Sequence, residues 1–171
     1  MLLVFLLSGL SFAADADSML GYAIGQPVSS IKLPKAPQGA FMTSATVAGE
    51  QGNLFLVPCG TRVHEIIFQV IYFTPDPGLV PTSPAARVVS NPRDAARSLK
   101  KLFEGALQAA GWLTTKSTDL GPLAGTTMVR NGIERSIDMA CEPEDPAVPQ
   151  GREQCRVSIH AGGEAWCTDG L

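Results

Sequence analysis

Val63-His-Glu-Ile-Ile-Phe-Gln-Val-Ile-Tyr-Phe73 is the stretch on which the fold turns. β-Branched and aromatic residues dominate it, a composition that suits a pleated, packed surface. In an extended chain His64, Ile66, Phe68, Val70 and Tyr72 share one face, and Glu65, Ile67, Gln69, Ile71 and Phe73 share the other. Both faces become apolar towards the end of the run, as in a central strand. Just upstream, Leu54–Val57 is a second strand, Cys59-Gly60-Thr61-Arg62 supplies the hairpin turn, and Pro58 marks an edge or an irregularity. Farther out, Phe41–Ala48 reads as a further strand, Glu50-Gln51-Gly52-Asn53 as a turn, and Met19–Ser30, broken by Gly21, Gly25 and Pro27, as a short strand or turn.

On the other side of this run, Thr74–Pro84 carries Pro75, Pro77, Pro81 and Pro84 with Gly78, and reads as an exposed crossover. A helix follows. Asn91 caps it, Pro92 suits its first turn and Asp94 favours the positive end of its dipole. Ala95, Leu99, Leu102, Phe103, Ala106 and Ala110 recur at three- and four-residue steps and make an apolar stripe, with Arg93, Arg97, Lys100, Lys101 and Glu104 opposite. Gly111 fits a left-handed stop, with Trp112 folding back onto Leu107. Beyond it Thr126–Arg130, Asn131-Gly132 and the run from Ile133 read as a type I′ hairpin, and the last strand is Cys155–His160. The order of elements predicts an α+β fold: an antiparallel sheet with one main amphipathic helix packed on one face, stapled by disulfides.

The chain has four cysteines, Cys59, Cys141, Cys155 and Cys167, for which three pairings exist. No C-x-x-C pair or finger-like histidine spacing points to zinc. Strand alternation narrows the choice. Ile133, Arg135, Ile137, Met139 and Cys141 share one face, and Cys155, Val157 and Ile159 carry the apolar side of the last strand. Between them lies a breaker-rich loop, Glu142-Pro143-Glu144-Asp145-Pro146 with Pro149 and Gly151. An antiparallel return sets Cys141 opposite Cys155, which leaves Cys59 for Cys167.

Address and function are read more coarsely. Met1–Leu7 is almost wholly apolar, and small residues precede Asp15 and Asp17. The layout is that of a cleaved signal peptide over residues 1–16, without a basic residue after Met1, followed by a single α+β domain over 17–171. At about 1.5 Å per residue the apolar stretch covers roughly 20 Å, short of a ~30 Å hydrocarbon core, so no mature membrane span is expected. A net charge of -3 and the absence of a basic stripe argue against nucleic acid as a partner. Nucleophile-elbow, P-loop, dinucleotide and zincin motifs are all missing, and Pro122 removes a backbone donor that a phosphate cradle at Gly121–Gly125 would need. No catalytic residue, cofactor or metal site is assigned. The expectation is a periplasmic or secreted, non-enzymatic binding module, inhibitor- or immunity-like, whose partner is another protein or a cell-envelope component. The alternative is a small extracytoplasmic hydrolase using His64 or His160 with a carboxylate such as Asp138 or Glu164. Intact-mass measurement on protein exported by its native host should find a mature chain beginning at Ala14 or Asp17; retention of Met1–Ala13 would refute export with cleavage.

Overall fold

The structure, a computed structural model, describes residues 18–70, 92–143 and 153–162. The segment read as a signal peptide, the expected cap Asn91, the proline-rich connection, residues 144–152 and the tail with Cys167 lie outside the described residues. A small ladder of β1 (Ser18–Met19) and β2 (Tyr22–Ala23) comes first. Then follow β3 (Phe41–Val47), β4 (Glu50–Cys59), β5 (Arg62–Val70), the helix α1 (Pro92–Ala109), β6 (Leu113–Asp119), β7 (Leu123–Arg130), β8 (Ile133–Pro143) and β9 (Glu153–Ala161). The last seven strands form one antiparallel sheet in the order β3-β4-β5-β9-β8-β7-β6. Two meanders, β3–β5 and β6–β9, thus meet along β5 and β9, with α1 lying over β8, β9 and β5.

Much of the local chemistry follows the expected rules. Asn131 and Gly132 both have positive φ, 52° and 77°, between Arg130 and Ile133, which pair directly, as a type I′ turn requires. Gly111, at φ 86°, ends the helix in a Schellman motif: its N–H bonds the Gln108 carbonyl and that of Trp112 bonds Leu107. Cys141 and Cys155 are opposite each other and joined by a disulfide of 2.02 Å on the buried face. Cys59 is also disulfide-bonded.

Three local expectations are corrected, and one strand outside all of them is added. Glu50–Asn53 is not a turn but the start of β4; the turn is Ala48-Gly49, both at positive φ. Gly52 is needed for close approach, because a Cβ there would lie 2.4 Å from the Phe68 ring. The register shifts by one residue between Val57 and Pro58, so that Val57 faces Glu65 while Pro58 faces Val63. His64 is the extra residue of this bulge, and Val63, rather than His64, joins Ile66 and Phe68 in the core. Ile133 and Arg135 do not follow Ile137, Met139 and Cys141 into the core. Ile133 is exposed at the hairpin tip, and half-buried Arg135 lies over the Trp112 ring at 5.5 Å. Finally β6, Leu113–Asp119, is an edge strand exposed at every position, with no apolar alternation to reveal it in the sequence.

The helix itself is rotated from its expected azimuth. Ala95, Ala96, Leu99, Phe103 and Leu107 are buried, but Leu102 is 50% exposed, Ala106 is exposed, and Lys100 is only 7% exposed. The cause is a polar cluster beneath the helix. The Lys100 ammonium donates to Glu104 and, at 2.8 Å, to Thr126 Oγ1 on β7, and Thr126 donates in turn to Glu104. An ammonium with such partners is tolerated inside, whereas an unpaired one is not. Leu102 is displaced to the solvent side. Phe103→Ala should therefore destabilise by about 3–5 kcal/mol while Leu102→Ala changes stability by under about 0.5 kcal/mol in chemical denaturation; equal effects at the two positions would refute this azimuth.

Candidate functional site

Alternation along the strands gives the sheet a second face, away from α1, on which no described element packs. Its side chains follow from register. Glu65 of β5, His160 of β9 and Ser136 of β8 form one cross-strand row. Ile67, Ser158 and Asp138 form the next, with Gly125 of β7 beyond Asp138, and Gln69, Arg156 and Ala140 form a third. Glu65, Ile67, Asp138, Ala140, Arg156, Ser158 and His160 line one shallow concavity there.

Its centre is an ion pair. His160 Nε2 lies 2.6 Å from Asp138 Oδ2, a diagonal contact between neighbouring strands. The other oxygen leans across Gly125, where a Cβ would sit 2.5 Å from Asp138 Oδ1. On the far side of the ring, His160 Nδ1 is 3.1 Å from the Ala161 carbonyl. A carbonyl only accepts, so a proton on Nδ1 suits this contact and a second on Nε2 suits the one with Asp138, which together favour the imidazolium form. The hydrogen bond to Asp138 is the main influence that raises the pKa of His160 above its ordinary 6.5. Burial opposes the shift, and the Ala161 carbonyl with the charges of Asp138 and Glu65 reinforces it.

Of the two histidines singled out from the sequence, only His160 meets a carboxylate. His64 sits half-buried in the bulge, with no hydrogen-bond or ion-pair partner among the described residues. Glu142 pairs with Arg156 at 3.4 Å, both exposed, and Glu164 lies outside the described residues. Among the described residues no group of three or more His, Cys, Asp or Glu side chains is placed to hold a metal ion. Cys141 and Cys155 are consumed in their disulfide on the opposite, buried face and offer no thiolate. Ser158 and Glu65 were not singled out from the sequence; only the pairing of β5 with β9 brings them to this place. No protein family matches the chain, nor does any curated protein or solved structure.

The raised pKa makes a signed prediction. The ion pair's contribution to stability is fully present below about pH 6.5, the unfolded value, and is lost as pH rises through the higher folded pKa. Chemical denaturation from acid to alkaline pH should show wild-type protein losing its advantage over His160→Asn across that window; a difference independent of pH would refute the pair's charged state.

Proposed function

We propose that this chain works outside the cytoplasm as a non-enzymatic binding module, inhibitor- or immunity-like, whose partner is another protein or a cell-envelope component. The observation that carries the reading is the engagement of both His160 nitrogens. A histidine that relays protons uses one nitrogen for the orienting carboxylate and turns the other to the nucleophile. Here the second nitrogen faces the chain's own Ala161 carbonyl, so in this geometry neither nitrogen is turned to a substrate. The surroundings support binding as well. The residues lie on a broad strand surface rather than in a deep cleft, and half-buried apolar Phe55 and Ile67 stand opposite one another beside the polar rows. The Cys141–Cys155 disulfide supports an oxidising compartment, where such bonds persist. Among the described residues no helix is long and apolar enough to cross a membrane.

The hydrolase alternative keeps one specific observation, the 2.6 Å contact between His160 and Asp138. It would need the ring to leave the Ala161 carbonyl before any substrate was attacked. Affinity capture with mature protein from the native periplasm or medium tests both readings. The expected result is a partner retained by wild type and by Lys101→Ala, and lost with Ile67→Ser combined with Arg156→Glu on the open face. Turnover of ester, amide or glycosidic substrates that disappears in His160→Asn would overturn the binding reading.

A further inference from the structure

The sheet has two edges, and they are finished differently. At β3 the chain covers its own border: Lys35 bridges to Phe41, and the Met42 N–H bonds the Pro34 carbonyl. At β6 no described element lies outside the strand, and all seven of its residues are exposed. The Leu120 N–H bonds the Leu123 carbonyl at 2.7 Å, which sets the alternation. Thr118 and Lys116 bond inward to β7, while Ser117 and Asp119 turn their N–H and C=O groups outward. An edge of this kind is a template for another strand. The leucines are a second, independent sign. Leu113 and Leu120, at opposite ends of β6, are 71% and 74% exposed, and Leu123 beside Leu120 is 51% exposed. Register with β7 puts all three on the open face of the sheet.

We propose that β6 pairs antiparallel with β6 of a second copy of this chain about a two-fold axis at Ser117, joining two seven-stranded sheets into one. Such an interface is isologous, so each contact occurs twice. With Ser117 facing its own counterpart, each Leu113 comes beside Leu120 and Leu123 of the other copy, because the bulge between Thr114 and Lys116 shortens the count by one residue. A register centred on Thr118 uses the same outward groups but carries Leu113 past Leu120 to Pro122. Lys116, the kind of residue that discourages edge pairing, faces Thr118 of the other copy rather than its own like. The helix lies over β8, β9 and β5 and leaves this edge clear. A two-fold axis normal to the sheet also keeps both open faces on the same side, so the surface carrying His160 and Asp138 is doubled.

Sedimentation equilibrium of the mature protein tests the pairing. Wild type should pass from monomer to dimer with rising concentration below about 1 mM, the weak end of specific association. Ser117→Pro removes an outward N–H and no ladder bond, and should stay folded and monomeric. Leu120→Lys should weaken the dimer about tenfold or more, because the lost apolar contact counts twice, and it keeps the test decisive if the proline variant misfolds. Ser117→Cys should oxidise to a linked dimer faster than Lys101→Cys, which is exposed on the helix. Monomer throughout up to about 1 mM, a dimer indifferent to both Ser117→Pro and Leu120→Lys, or equal linking of the two cysteine variants would overturn the proposal.

Discussion

The pairing of β5 with β9 holds the rest of the structure together. Each meander closes through short connections, but the sheet becomes one only where Glu65–Gln69 align with Arg156–His160. These strands are far apart in sequence, so closing the seam costs more chain entropy than any hairpin in the fold. The return comes from its inner face, where Ile66 meets Ile159 and Phe68 meets Val157, all fully buried. The helix lies over this side and adds Leu99, Phe103 and Leu107 to the same core. A slip of one residue along the seam would exchange its two faces, sending Glu65 and His160 inward and Ile66 and Ile159 out. Core and candidate site are therefore two consequences of a single register.

Helix placement depends on a different interaction. A stripe of Ala95, Leu99, Leu102, Phe103 and Ala106 is a sound solution for a helix on an apolar sheet, and it is not the one adopted. The sheet presents Thr126 among apolar neighbours, with Ser117 3.4 Å from it on the adjoining strand. A hydroxyl in that position needs a partner, and rotating α1 to bring Lys100 and Glu104 over it satisfies all of the polar atoms together. The cost is an exposed Leu102, which is small for a single surface leucine. At the helix C-terminus Trp112 completes the arrangement: buried beneath the Schellman turn, its ring lies 5.1 Å from the Arg130 guanidinium, which itself donates to the Ala110 carbonyl.

How much of this the sequence discloses depends on whether the deciding force is local. Turn chemistry is local, so Asn131-Gly132, Gly111 and the Cys59–Arg62 hairpin are legible in their residues. The disulfide is legible too, because alternation alone puts Cys141 and Cys155 on one face. The same pairing sets more in place: counting back three residues from Cys141 and on three from Cys155 puts Asp138 opposite Ser158, with His160 one pair further along on the same face. Half of the site thus follows from two cysteines. Glu65 does not, since nothing near it specifies which strand will lie alongside. Pro58 does announce the irregularity in its strand, though not that His64 is the extra residue, and the helix azimuth is settled by Thr126 beneath the helix. Edge strand β6 has no buried face at all, and without burial there is no periodicity to read.

The location of the open-face concavity has a consequence for any ligand in it. Glu65 belongs to the first meander and Ser158 to the second, so a group contacting both lies across the seam rather than on a loop. Its binding energy then adds to the interaction on which the sheet's continuity depends, and mass action transfers that energy to folding stability. His160 works on the same seam from the other side, holding Asp138 of β8 while standing opposite Glu65 of β5. The carboxylates beside it favour its proton, Asp138 chiefly through the hydrogen bond and Glu65 through its charge. Protonation of this one ring is thus tied to the strip of sheet where the two meanders join.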